Sequence, residues 1–343
     1  MLTTLLATVF VFGLLILVHE LGHFVTAKMT GMRVDEFAIG FGPKVISYRH
    51  GETLYSLRII PLGGFNKIAG MDPEEEQDER SFSAKPLSSR LWVIVAGSLM
   101  NFVLPVFLFL VIFLTAGVDT PSNQPIIGST FPDKPAIKAG LAAGDRIVAV
   151  DNKEIASWSE FVNTVQRSSG NTLSISYERQ GNIKHISLVP EYDEKAGKGI
   201  IGVMPKVDKY YPGIIESVGM SLKQTYMVTA GMVVGIFQMI TGKVAADVAG
   251  PIGVAQMAGE FAQLGFIPLL QFAAFLSINL GLINLLPVPM LDGGHVVTLL
   301  LEGLRGKPLA RRQMQVIQII GFALLMMLFL MATFKDIIRL KLF

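Results

Sequence analysis

Two short stretches carry residues whose types and spacing could do chemistry. The first is His19-Glu20-Leu21-Gly22-His23, an HExxH pattern inside the apolar run from Leu2 to Lys28. On a helix, positions i and i+4 lie on one face. His19 and His23 can therefore turn both imidazoles towards one zinc ion, with Glu20 beside them to handle a proton. The second stretch is Asn284-Leu285-Leu286-Pro287-Val288-Pro289-Met290-Leu291-Asp292-Gly293-Gly294-His295. Pro287 and Pro289 forbid a continuous helix there. Asp292 then either caps the next helix or binds a metal. Together the two stretches supply His, His and Asp, the three protein ligands of an open catalytic zinc site. His295 is a weaker candidate ligand, and His50 and His185 are expected at the surface.

The elements that must position these groups are membrane-type. Of 343 residues 51% are hydrophobic and 16% charged, and mean hydropathy is +0.52. Soluble domains average about 25% charged residues. An apolar run long enough to span a bilayer disfavours a soluble helix with a satisfied His pair, and ionisable residues placed in hydrocarbon are functional by default. The net charge of +2 gives no sign of nucleic-acid binding. With no cysteine in the chain, disulfides, thiolate zinc sites and Cys nucleophiles are all excluded. The N-terminal run lacks a basic leader and a clear cleavage site, so it is expected to be a retained span.

Four transmembrane helices are expected: Leu2–Lys28, about Leu91–Gly117, Phe266–Leu286 and Val316–Phe334. At 1.5 Å per residue His19 lies about 25 Å along the first. The block between the first two is basic, and the positive-inside rule puts it in the cytoplasm. Both termini are then outside, and the metal site lies nearer the cytoplasmic face. Within that block, about 33–70, Lys44–Ile60 reads as a hairpin around His50-Gly51-Glu52. It is either an ordinary surface hairpin or an edge strand that receives an extended peptide. Gly63-Gly64-Phe65 is expected to break it, and Met71–Arg80 to be an acidic linker. Gly97 and Asn101 in the second span are either packing residues or a close approach and polar contact near the site. Residues 209–262 form a helical region. Met220–Ile240 is expected there as an interfacial amphipathic helix, and Gly250-Pro251-Ile252-Gly253 as a turn.

Residues 119–208 differ from the rest. Short strands are expected at Ile126–Gly128, Arg146–Val150, Leu173–Tyr177 and His185–Val189. Helices are expected at Pro135–Ala139 and Ser157–Ser168, with Ser157 as N-cap. Ala139-Gly140-Leu141-Ala142-Ala143-Gly144-Asp145-Arg146-Ile147 followed by Val150-Asp151 resembles the PDZ-domain signature, in the permuted bacterial order. By that resemblance the loop Gly199-Ile200-Ile201-Gly202 would hold a peptide terminus; the alternative is a size filter that binds nothing.

With HELGH in the first span, one PDZ-like module and NLLPVPMLDGGH at the third, the whole chain resembles the site-2 protease family of intramembrane zinc metalloproteases, in particular its bacterial RseP-like group. The implied fold is a multi-pass α-helical membrane protein of four transmembrane helices. It carries a membrane-associated β-region and one inserted periplasmic PDZ domain, and it lies in the bacterial inner membrane. The implied roles are zinc ligation by His19, His23 and Asp292, and base catalysis by Glu20. Substrate contact is implied for Asn284, Pro287, Pro289, Gly97 and Asn101, and for Gly64 and Phe65 in the β-region that clamps substrate. Implied substrates are transmembrane segments of an anti-sigma factor and remnant signal peptides. Where the enterobacterial type carries two tandem PDZ modules, this chain has room for one. A zinc transporter would need a polar path that the third and fourth spans do not offer. A scaffold displaying the PDZ module over a non-catalytic metal site would have no use for Glu20.

Overall fold

The computed structural model describes residues 1–71, 77–194, 197–244, 249–307 and 309–339, with the side chains at 61, 62 and 311 outside the description. Half of the acidic linker, residues 72–76, thus lies outside the described residues. Two compact units emerge, Gly117–Pro212 and the remainder, Met1–Ala116 with Gly213–Phe343.

The chain opens with α1 (Leu2–Met29), β1 (Val34–His50), β2 (Thr53–Ile68) and α2 (Leu87–Ala116). β1 and β2 are longer than a simple hairpin, and they fold back on themselves. Residues Glu36–Ile39 pair on one side with Leu54–Leu57 and on the other with Gly64–Lys67. The outer half of β1 pairs only with Thr53–Arg58. Four strand segments thus lie side by side in the order 64–68, 34–39, 53–58, 44–50. Gly40 makes the bend in β1 possible. Its φ is +89°, and a Cβ there would lie 2.6 Å from the Ile60 carbonyl. Gly64 and Phe65 do not break the strand, contrary to expectation; they pair with Ile39 and Ala38. The glycines serve the tight fold-back rather than a chain break.

The second unit holds β3 (Val118–Pro121), β4 (Ile127–Thr130), α3 (Pro135–Lys138), β5 (Arg146–Val150), β6 (Lys153–Glu154), α4 (Trp158–Arg167), β7 (Leu173–Arg179), β8 (Asn182–Leu188), β9 (Glu191–Asp193), β10 (Lys198–Ile200), β11 (Val203–Pro205) and β12 (Val207–Tyr210). Ser157 Oγ accepts the Glu160 N–H at 3.2 Å, which caps α4. Ile127, Leu141, Ile147, Phe161 and Ile175 fill the core. A groove of about 400 Å³ opens between α4 and Gly199–Val203, lined by Phe131, Val162 and Val165, with Lys134 and Gln166 also on its wall.

The first unit resumes with α5 (Ile214–Ile240), α6 (Pro251–Leu264), α7 (Phe266–Asn284), α8 (Asp292–Arg305) and α9 (Arg311–Arg339). Among the described residues four helices, α1, α2, α7 and α9, are long and apolar enough to cross a membrane. α5 begins earlier than Met220 and packs against α2 and α7. Gly250–Gly253 is not a turn. Gly250 is the N-cap and Pro251 the first residue of α6, where a proline loses no helical hydrogen bond. The side chain of Asp336 on α9, only 2% exposed, accepts the N–H groups of Gly250 (2.9 Å) and Gly253 (2.8 Å).

Ala7, Val11 and Leu15 of α1 meet Leu104, Leu108 and Ile112 of α2 and Leu269, Phe272 and Ala273 of α7 in one apolar core. Between helices that lie in hydrocarbon, such a core is held by close van der Waals packing rather than by removal of apolar surface from water. Pro105 lies inside α2. It has no N–H for the carbonyl of Asn101, four residues earlier. Ser277 of α7 donates its hydroxyl to that carbonyl at 2.8 Å and so ties α7 to α2 at this depth.

Candidate metal centre

His19 and His23 project from one face of α1, with their Nε2 atoms 3.2 Å apart. Asp292, the first residue of α8, faces both: Oδ2 lies 3.6 Å from His19 Nε2 and Oδ1 3.6 Å from His23 Nε2. Zinc bonds of about 2.0–2.1 Å place tetrahedral ligands about 3.3 Å apart. The three side chains are therefore spaced as zinc ligands would be, and they are the metal-capable cluster found among the described residues. Asp292 does not cap its own helix, which has no side-chain cap bond.

Supporting contacts fix the three side chains. His23 Nδ1 lies 2.8 Å from the Val93 carbonyl. It must donate there, which leaves the Nε2 lone pair for a metal. His19 Nδ1 lies 3.1 Å from the Asn101 amide, whose Oδ1 is otherwise buried without a partner. A half-turn of that amide presents Oδ1 to His19 Nδ1–H, satisfies the orphaned oxygen and again frees Nε2. Ser98 Oγ donates to Asp292 Oδ2 at 2.8 Å. Neighbours of this kind orient metal ligands.

Glycine makes the approach of α1 and α2 close. A Cβ at Gly22 would lie 2.5 Å from the Ala96 carbonyl, and one at Gly97 would fall on the His23 ring. α8 is set just as tightly. Cβ atoms at Gly293 and Gly294 would lie 2.2 and 2.3 Å from the carbonyls of Leu286 and Val288. The proline-marked loop thus folds directly onto the first turn of α8 and aims Asp292. Arg90 of α2 grips Glu302 at the other end of that helix, at 2.6 and 3.2 Å.

Glu20 points towards the β-sheet. Asn66 of β2 donates its amide to both the Glu20 carbonyl (2.8 Å) and Glu20 Oε2 (2.7 Å). A Cβ at Gly64 would lie 3.0 Å from Glu20 Cγ. Phe65 lies one position on, its ring 4.9 Å from the Arg58 guanidinium. Asn284 ends α7, Pro287 is exposed, and Pro289 lies against Gly321 of α9. Gly199, Ile200, Ile201 and Gly202 line the groove of the second unit and belong to a different site. His50 and His185 are exposed, and His185 bonds Ser176. Sequence reasoning missed Ser98 and Asn66. Ser98 could have been found from its place three residues before Asn101, on the same face of α2. Nothing in the sequence singles out Asn66.

An HExxH helix facing a carboxylate on a second, proline-broken pair of helices, all among membrane-type elements, defines a metallopeptidase built to work within a membrane. The chain belongs to peptidase family M50, whose model matches residues 7–328. The zinc metalloprotease RasP of Geobacillus kaustophilus is 34% identical over 417 residues, covering 98% of each chain. The regulator of sigma-W protease RasP of Bacillus subtilis is 32% identical over 418 residues, 98% of this chain and 99% of that one. Among solved structures, the PDZ domain of an SdrC-like protein from Listeria monocytogenes is 26% identical, covers 25% of this chain and 90% of that one, and has a TM-score of 0.22. This chain is a zinc metalloprotease of the intramembrane type.

Proposed function

We propose that His19, His23 and Asp292 hold the zinc and that Glu20 is the catalytic base of an endopeptidase acting on transmembrane segments. The observation that carries this is the convergence of three side chains, the two imidazole Nε2 atoms 3.2 Å apart and each 3.6 Å from one oxygen of the Asp292 carboxylate, with Glu20 next to His19 on α1. Zinc in such a site supplies a Lewis acid for the scissile carbonyl and makes water nucleophilic at neutral pH. Glu20 takes the proton from the attacking water and delivers it to the leaving amine as the C–N bond breaks. Asn66 occupies one of its carboxylate oxygens, so Oε1 is the atom left for the proton. A helical substrate hides its carbonyls in its own hydrogen bonds and must unwind before cleavage. The β-sheet beside α1 offers main-chain partners for the unwound segment. Asn284, Pro287 and Pro289 shape the path on the opposite side, where helix is forbidden, and Gly64 and Phe65 shape it along the sheet.

The basic block between α1 and α2 supports a cytoplasmic side for the sheet and the metal-site end of α1, and by the same rule an outer location for residues 117–212. That unit is a PDZ-like module whose groove at Gly199–Gly202 takes a peptide terminus or excludes substrates with bulky outer domains. A Bacillus subtilis relative is a regulator of sigma-W, which supports an already trimmed anti-sigma factor as substrate, with remnant signal peptides as a second class. In membranes, wild type should cut a single-span substrate lacking its outer domain, while Glu20→Gln keeps zinc and cuts nothing. A Glu20→Gln form that still cleaves would remove the base from the mechanism.

A further inference from the structure

Asn66 does two things at once, and only one of them is complete. Its amide nitrogen faces two acceptors, the Glu20 carbonyl and Glu20 Oε2. Both partners are oxygens, so the NH2 end must point to them and the amide cannot turn round. Its Oδ1 then points elsewhere, buried and without a partner. A buried acceptor left unpaired is costly, and such groups in a native structure call for an explanation.

The backbone around Asn66 suggests what completes it. Gly64, Phe65 and Asn66 pair on one side with Ile39, Ala38 and Phe37. Among the described residues no strand pairs with their other side. This edge runs past Glu20, with Gly64 close enough that a side chain there would press on Glu20 Cγ. An unwound substrate segment at this depth has no water to satisfy its amides. The group that matches an unpaired carbonyl-type oxygen there is a backbone N–H.

We infer that Asn66 is a positioning residue for the reaction: its NH2 group holds Glu20 in place, while Oδ1 accepts a backbone N–H of the substrate next to the scissile bond. One amide thus ties the correct seating of the substrate to the aim of the base. This rests on the metalloprotease reading above. No bond is made or broken at Asn66 itself.

The test uses the full-length protein in lipid vesicles with a single-span peptide substrate. The peptide is synthesised as a set in which each backbone amide flanking the cut is N-methylated in turn. Wild type, Asn66→Ala and Asn66→Ser are compared for kcat, KM, zinc content and thermal stability. Asn66→Ala should keep zinc and lower kcat about 10- to 100-fold, with KM changed less, and Asn66→Ser should recover part of the loss. One N-methyl position should slow wild type about 3- to 10-fold more than it slows Asn66→Ala, because the partner of that N–H is already gone. Equal N-methyl penalties at every position in wild type and Asn66→Ala, or a wild-type kcat in Asn66→Ala, overturn the inference. Loss of zinc from Asn66→Ala overturns it as well, since Asn66 would then serve the metal site. If wild type itself cuts no peptide, the protease reading fails and this inference fails with it.

Discussion

Gly97 occupies the space that His23 needs: a Cβ built on Gly97 would lie 2.2 Å from His23 Nε2, the atom that faces Asp292. No side chain fits between α2 and that imidazole. Gly97→Ala should therefore push His23 off the metal position. The expected result is loss of most bound zinc and of cleavage, with helix content by circular dichroism unchanged. Full zinc occupancy in Gly97→Ala would mean the helices separate freely.

Ser98 holds one oxygen of Asp292 from α2. Removing such a support usually costs about 10- to 100-fold in metal affinity. Ser98→Ala should show a loss of that size in chelator competition, while keeping some activity at saturating zinc. An unchanged affinity would reduce Ser98 to a packing role.

Glu52, in the turn between β1 and β2, joins that turn to Arg80 (2.7 Å) and to Lys28 at the end of α1 (2.5 Å). The Arg80 bond first, then the Lys28 bond, draws its pKa down from 4.5 to about 2. A carboxylate depressed by folding contributes stability above its unfolded pKa and loses it as pH falls through the folded value. The turn should thus be fully held at pH 5 and progressively released between pH 4.5 and 2. Hydrogen exchange of residues 50–54, corrected for intrinsic rate, should rise across that window in wild type. In Glu52→Gln it should be raised already at pH 5 and flat below.

Asp336 acts from α9 as the cap that α6 lacks, accepting two N–H groups of its first turn. Losing a helix cap costs about 0.5–2 kcal/mol. Asp336→Ala should lower the thermal midpoint in detergent by a few degrees and expose residues 249–253 to exchange. Wild-type protection there would show that the cap is dispensable.

The candidate metal centre was legible because each half carries its own local signature. His19 and His23 share a helix face by spacing alone, and Pro287, Pro289 and Asp292 mark backbone that cannot be plain helix. What surrounds them was not. Asn66 and Ser98 reach the site from a strand and a second helix, and no periodicity links them to HExxH. Gly64 and Phe65 looked like a break because glycine pairs usually mark turns; only the second pairing, to Ile39 and Ala38, makes them strand. Gly250–Gly253 looked like a turn for the same reason, and the carboxylate that makes it a helix start lies more than 80 residues away.

Asp292 follows His23 by 269 residues, with the whole Gly117–Pro212 unit between them. At about 5–20 residues per second the wait is on the order of 15–50 s. Throughout that interval the growing polypeptide carries a base and two imidazoles but no complete metal cradle. With Asp292 as the proposed third ligand, the protease would be inert beside other nascent membrane helices until that residue has been made and folded into place.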